Sequence, residues 1–231
     1  MNDGIILLDK PAGMTSFGVV ARIRRVLTAE KKAALLAAGD AQGRAKVKVG
    51  HTGTLDPFAT GLMILVVGKE CKNAQYYTKL DKVYEATITL GEVSTTGDPE
   101  GEITQQSDIV PSRQEIEAAL QNFIGDILQR PPIFSAIKID GKRAYKLARD
   151  GEQVELPLRP IHIYALEVIS YEYPRLRIRT HVSSGTYIRS LAVDIGEALG
   201  TGAYCSELRR TQIAEWDVAT AQTLADFGIT D

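Results

Sequence analysis

The sequence is poor in the groups that build disulfide frameworks, metal centres and membrane spans. Only two cysteines occur in 231 residues. Cys71 and Cys205 lie far apart with no C-x-x-C spacing, so neither a disulfide framework nor a zinc cluster is indicated, and two buried or idle thiols are expected. No cluster of His, Cys and Asp has metal-ligand spacing, and no metal is expected. There is no run of 18 apolar residues, which removes a transmembrane helix from consideration. The start, "MNDGIILLDKPAG", carries an acid where a signal peptide needs basic charge, followed by too short an apolar stretch. A cytoplasmic protein is the expectation. The phosphate-cradling pattern G-x-x-x-x-G-K-[ST] is also missing, and "VGKECK" lacks its upstream glycine. Repeats, linkers and low-complexity tracts are absent, which favours a single domain over residues 1–231. Finally, the chain has no excess of positive charge: its formal net charge is -2. That balance alone counts against a nucleic-acid partner, because affinity for phosphates comes mainly from Lys and Arg.

What is present changes that reading. Hydrophobic residues make up 44% of the chain, enough to fill a core of this size. The cations are clustered. Arg130, Lys138, Lys142, Arg143, Lys146 and Arg149 stand against one acid, Asp140, and residues 1–50 are similarly rich in Lys and Arg. The acids gather elsewhere, at Glu92, Asp98, Glu100, Glu102 and Asp108. Such segregation can give an acidic protein a basic face, or it can mean ordinary solvated helix faces.

The pattern along the chain mixes helices and strands without a βαβ repeat. "GIILLDK" reads as a short buried strand, after which Thr15 or Ser16 can cap the amphipathic helix of "SFGVVARIRRVL". Residues 28–46 look like an Ala-rich helical piece with a flexible, polar exit, long for a connection inside a compact domain. "LMILVVGK" suits a buried strand and "KVYEATITLG" a strand with one wet face. Ser112 and Glu115 form a capping box for a helix expected to end at Gly125. "RAYKLARDG" reads as a short helix, "IHIYALEVISYEY" and "RLRIRTHVSS" as strands, and "TYIRSLAVDIGEALG" as a helix stopped by Gly200. His162 and His181 are read as ordinary strand residues. The expected class is α+β, with a mixed, mainly antiparallel central sheet flanked by helices.

One loop carries the chemistry. "GHTGTLDPFATG", residues 50–61, places Asp56 and His51 among small residues, which gives the acid a flexible frame that a ligand can approach closely. Asp-Pro is also a good turn starter on purely structural grounds. The catalytic alternative is that Asp56 acts as a nucleophile or base. With a reference pKa of about 3.9 a carboxylate is ionised at pH 7 and needs no activating partner.

Five segments in order, "GIILLDKPAGMTS", "GHTGTLDPFATGLMILVVGK", "KVYEATITLGEVSTTGD", "RPPIFSAIKIDGKRAYKLAR" and "VSSGTYIRSLAVDIG", resemble the TruB family of tRNA pseudouridine synthases. The resemblance runs from about residue 3 to residue 217 and implies the pseudouridine synthase catalytic fold. It implies isomerisation of the T-loop uridine at tRNA position 55 to pseudouridine, without a cofactor. By the same resemblance Asp56 is the catalytic aspartate, Tyr84 the base-stacking tyrosine and Arg189 the arginine that pairs with the aspartate. Tyr187 is a second tyrosine beside the uracil, Leu208 an apolar contact near it, and His51 a wedge or stacking group for the T-loop. Lys138 and the basic segments at 130–149 and 10–48 would hold T-arm phosphates. Extruding a base costs a few kcal/mol and stacking it on an aromatic ring returns about 1–3 kcal/mol, so Tyr84, expected as a solvent-facing aromatic, could offset much of the cost.

The partner implied is the tRNA T-arm stem-loop, with neither DNA nor a membrane, and the chain is expected to act as a monomer. Two features depart from the family pattern. Residues 28–46 are an insertion, and the chain stops soon after "AEWDVATAQTLADFGITD", so a form lacking the C-terminal PUA domain is expected. Three chemical routes remain open to Asp56: addition to C6 of the uracil, attack on C1′ of the ribose, or assistance to glycal formation. The rival function is a non-catalytic RNA-binding or tRNA-folding protein on the same scaffold.

Overall fold

The computed structural model describes residues 3–40, 42–135, 138–139, 142–143 and 156–230, the side chains at 138–139 and 142–143 excepted. The chain divides into two compact units: Met1–Lys82 with Arg209–Asp231, and Val83–Leu208.

In the first unit β1 (Gly4–Lys10) runs antiparallel to β3 (Thr60–Val67), from Gly4 opposite Val67 to Lys10 opposite Gly61. The short β2 (Val49–His51) pairs antiparallel with β3 as well. The apolar run of β3 is buried along nearly its whole length, as a strand covered on both faces requires. Its other neighbour is the C-terminal half of β12 (Ala203–Ile213), which runs parallel to it through Arg209 opposite Thr60 and Arg210 opposite Gly61. Gly61 has φ of +106°, and a Cβ there would sit 2.2 Å from the Arg210 carbonyl oxygen, so only glycine permits this approach. A small hairpin partner, β13 (Trp216–Asp217), closes the end of β12. Leu62, Ile64 and Ile213 form a buried cluster, with Ile5, Leu7, Tyr77 and Trp216 packed around it.

Helix α1 (Ser16–Ala37) is capped by Thr15, whose hydroxyl accepts from the Gly18 N–H at 3.0 Å. Ser16, Val19, Val20, Ile23 and Leu27 form its buried stripe, at helical spacing. Beyond Leu27 nothing is buried, yet "TAEKKAALLA" continues as helix on the propensity of Ala, Leu, Glu and Lys. The helical piece expected within 28–46 is therefore the continuation of α1. A short α2 (Ala74–Thr78) follows a 3₁₀ turn at Gly68–Asn73.

In the second unit the strands order as the N-terminal half of β12, then β4 (Lys82–Leu90), β11 (Arg175–Val182), β10 (Arg159–Glu172) and β7 (Gly125–Gln129). β10 is antiparallel to both β11 and β7. β5 (Glu92–Ser94) with β6 (Ile103–Gln105), and β8 (Lys138–Ile139) with β9 (Lys142–Arg143), form two-stranded hairpins. Helix α3 (Arg113–Gln121) opens with the expected capping box, Ser112 accepting from the Glu115 N–H and Glu115 from the Ser112 N–H. It stops at Gln121 rather than Gly125, which at φ +97° begins β7. α4 (Ile188–Ala198) ends before Gly200, as the sequence predicts.

The fold is the expected α+β class with a mixed, mainly antiparallel sheet. His162 and His181 sit in β10 and β11, and both cysteines are free. The helix expected at "RAYKLARDG" lies outside the described residues. No helix among them is long and apolar enough to cross a membrane, and no group of three or more His, Cys, Asp or Glu among them could hold a metal ion.

Candidate active site

The loop that carries Asp56 is not a flexible frame. Both of its neighbours are pinned by buried polar side chains of the first unit. On one side, Ser16, at 2% exposure, donates its hydroxyl to the Leu55 carbonyl and accepts the Leu55 N–H, both at 2.8 Å. On the other, the Pro57 carbonyl accepts from the Lys10 ammonium at 3.2 Å and from the Gly13 N–H at 2.8 Å. Lys10 is fully buried and also donates to the carbonyls of Pro11 and Met14, at 2.8 and 2.7 Å. Three carbonyl acceptors are what a buried ammonium needs to meet its desolvation cost.

Earlier in the loop, Arg210, 1% exposed, donates to the carbonyls of Leu62 (2.7 Å) and Gly53 (3.1 Å). Thr52 donates both its N–H and its hydroxyl to the Ile64 carbonyl. After Asp56, the Ala59 N–H bonds the Asp56 carbonyl at 3.2 Å and closes a turn. The small residues thus admit close approach while Lys10, Ser16 and Arg210 remove the mobility that small residues bring. The Asp56 side chain itself is half-buried.

His51 ends β2, half-buried in the same unit. Burial, with a smaller contribution from the Arg210 guanidinium, pushes its pKa below the usual value, so the ring is neutral at pH 7. Its Nδ1 is shielded from solvent without a hydrogen-bond partner. A neutral ring of this kind suits stacking better than ion pairing.

The second unit holds Tyr84, Tyr187, Arg189 and Leu208. Tyr84 on β4 is 8% exposed and not the solvent-facing aromatic expected. The expected wet face of β4 is only partly open: Glu85 and Thr89 are half-buried, and Thr87, 2% exposed, donates to Glu207 of β12 at 2.8 Å. Tyr187 sits at the N-cap of α4, held there by Gln129, whose amide accepts from the Tyr187 N–H at 2.8 Å and donates to the Tyr187 carbonyl at 3.0 Å.

Arg189 is in the first turn of α4 and 4% exposed. Its guanidinium pairs with the Asp98 carboxylate at 2.9 Å and donates to the carbonyls of Thr96 (3.0 Å) and Phe134 (2.8 Å). Asp98 is equally buried, and its other oxygen accepts from the Thr96 hydroxyl at 2.6 Å and the Glu100 N–H at 3.0 Å. Every lone pair and donor direction of this buried pair that these contacts use is matched by a partner, the condition under which such a pair is tolerated. Leu208 is buried at the β12 end of the unit. Lys138 lies in β8, with its side chain outside the described residues.

Four supporting residues, Lys10, Arg210, Asp98 and Gln129, were not singled out from the sequence. The signal was present for two of them: Lys10 closes "GIILLDK" and Asp98 closes "STTGD", both inside segments that carry the family resemblance.

Comparison with known proteins agrees with the geometry. Residues 42–188 match the TruB family pseudouridylate synthase (N terminal domain), and residues 189–229 the tRNA pseudouridylate synthase B C-terminal domain. The chain is 46% identical over 224 residues to tRNA pseudouridine synthase B of Pseudomonas putida (strain GB-1), covering 97% of this chain and 68% of that protein. To tRNA pseudouridine synthase B of Opitutus terrae it is 43% identical over 223 residues, covering 96% of this chain and 86% of that protein. Among solved structures, it is similar to a chain of a Cbf5-Nop10-Gar1 complex, with TM-score 0.70 and 32% identity over 96% of this chain and 53% of that one. It is also similar to a chain of an H/ACA RNP bound to a substrate RNA containing 2′-deoxyuridine, with TM-score 0.66 and 30% identity over 96% of this chain and 51% of that one. The chain thus spans about half the length of these structural relatives. The pinned aspartate loop, the motif order and the extent of these matches together establish that the chain belongs to the TruB family of pseudouridylate synthases.

Proposed function

We propose that this protein isomerises uridine in tRNA to pseudouridine, at the T-loop uridine of position 55, with Asp56 as the catalytic carboxylate. The observation that carries the reading is the fixation of Asp56 on both sides by Ser16 and Lys10 within the family's own motif. Orientation is where such a loop gains rate, since a well-placed group replaces a bimolecular encounter.

The reaction breaks the N1–C1′ bond and forms a C5–C1′ bond. A proton leaves C5 and N1 gains one, so the composition of the uridine is unchanged. Asp56 acts on the flipped-out nucleotide as nucleophile or base, through C6, C1′ or a glycal. Tyr84, Tyr187 and Leu208 supply the aromatic and apolar contacts for the base, and the neutral His51 stacks in the T-loop. Arg189 is the cation for the Asp56 carboxylate, oriented by its own pair with Asp98. The protein is read as cytoplasmic, acting as a monomer on the T-arm.

Unmodified tRNA incubated with the protein and mapped for pseudouridine provides the test. Conversion at position 55 supports the reading. Tight binding with no pseudouridine at any position would instead assign the chain to non-catalytic RNA binding.

A further inference from the structure

Beside β2, and apart from the Asp56 loop, the first unit encloses an open basin of about 880 Å³ walled by α1, the strand entry at 44–48 and the 3₁₀ turn. Seven cations and one acid line it. Arg24 and Lys31 lie two helical turns apart on one face of α1. The exposed Lys46 and Lys48 alternate with the buried Val47 and Val49, which puts both cations on the side away from the core, with the exposed Arg44 just before them. Lys69 and Lys72, three apart in a 3₁₀ turn, share one side of it.

Among the described residues little neutralises these charges. Lys69 meets Asp3 at 3.7 Å, a solvent-exposed contact of small value. Arg24, Lys31, Arg44, Lys46, Lys48 and Lys72 have no ion pair among the described residues. A chain with net charge -2 that gathers repelling cations in one concavity needs an anionic occupant to offset them.

The lining also says what kind of anion. Its uncharged side chains are Val47, Val49 and Val67, all buried, and Gly68. None of the three valines offers an exposed apolar side chain to a compact organic ligand. No aromatic or amide side chain is present to read a base edge. We propose that this basin docks backbone phosphates of the tRNA substrate at a distance from the reacting nucleotide, with Lys31, Arg44 and Lys46 making the 24–46 segment an RNA-gripping element. The proposal rests on the tRNA reading given above. Phosphate contacts of this kind set register and orientation without carrying sequence information.

The test is equilibrium binding of an unmodified tRNA transcript between 50 and 200 mM NaCl. Three variants are compared with wild type: the triple Lys31→Gln/Arg44→Gln/Lys46→Gln, its charge-keeping counterpart Lys31→Arg/Arg44→Lys/Lys46→Arg, and a control triple Arg113→Gln/Arg159→Gln/Arg175→Gln at exposed cations of the other unit. Each phosphate contact contributes roughly 0.7–0.9 to the slope of log K against log salt, so the first triple should lower the slope by about 2–3. Over a fourfold salt range the wild type should then lose roughly 20- to 40-fold more affinity than this variant. The charge-keeping triple should retain the wild-type slope, which separates lost charge from lost folding. An unchanged slope in the Gln triple, or an equal drop in the control triple, overturns the proposal. So does saturable binding of inorganic triphosphate, or of vesicles containing anionic lipid, that the Gln triple abolishes without altering its RNA slope. Because only binding is read, a wild type that grips tRNA with this slope but makes no pseudouridine defeats the functional reading and leaves the basin standing.

Discussion

Replacing Lys10 by Met tests whether the Asp56 loop works because it is held. The ammonium is fully buried and donates to the carbonyls of Pro11, Met14 and Pro57. Met keeps an unbranched side chain, one heavy atom shorter, and removes all three donors. Pro57 retains the Gly13 N–H, so two partly buried acceptors, Pro11 and Met14, lose this partner. Each costs about 1–3 kcal/mol if left unmet, while removing a buried charge returns part of that sum. A net loss of about 2 kcal/mol, or roughly 4–8 °C in Tm for a chain of this size, is expected.

The effect on chemistry should be larger than the effect on stability. Freed from Lys10, the Pro57 side of the loop can shift, and misplacing a reacting group by about 1 Å costs about a hundredfold. The assay is release of tritium from tRNA labelled at C5 of uridine, because the C5 proton is lost in the isomerisation. It is run well below both unfolding midpoints. A kcat/KM lower by about a hundredfold, with RNA affinity nearly kept, is the expected result. A Lys10→Met protein that is folded and retains kcat/KM within about threefold of wild type would refute the idea that this clamp positions Asp56.

Other consequences follow from the same contacts. Asp98→Asn removes the carboxylate that the buried Arg189 guanidinium meets at 2.9 Å and should destabilise the protein by about 3–5 kcal/mol in denaturant titration. A double-mutant cycle with Arg189→Met should show coupling above about 1 kcal/mol, and simple additivity would show that the pair contributes nothing of its own. Burial first, and then the Glu197 carboxylate, push the Asp194 pKa up to about 6. A carboxyl raised above its unfolded value near 3.8 is neutral in both states below that pH, and ionising it in the fold costs stability as pH rises through about 6. Asp194→Asn should therefore raise stability at pH 7–8 by about 1 kcal/mol, a figure discounted because the side chain is only partly buried, and should change nothing below pH 4. An effect of equal size at both pH values would contradict the assignment.

Much of the architecture was legible because periodicity and capping are local. The apolar run of β3, the alternation of β10 and β11, and the Ser112–Glu115 box each lie within a dozen residues and appear where the sequence puts them. β12 was harder to read as a strand. Its "LRRTQI" carries two adjacent arginines, yet Arg210 is buried because the Leu62 and Gly53 carbonyls receive its guanidinium. Lys10 deceives in the same way, since a lysine that ends a strand normally reaches solvent and only the tertiary fold supplies three carbonyls around it. Asp98 and Arg189 stand far apart in sequence, so no spacing could have paired them. Tyr84 misled because, on β4, it shares its face with the buried Ala86 and Ile88 and not with the polar Glu85, Thr87 and Thr89. The aspartate, the tyrosines and the arginine could be named from motif order, but what holds them depends on long-range contacts.

The central claim is that Asp56 performs the chemistry and that binding does not need it. Asp56→Asn keeps the shape of the side chain and removes its charge. The decisive measurement is single-turnover conversion of position 55 in tRNA by this variant, with RNA affinity measured on the same preparation. Pseudouridine formation should fall to background while affinity is kept or slightly improved. Substantial conversion by the Asn variant, with deamidation to Asp excluded by mass analysis, would contradict the account.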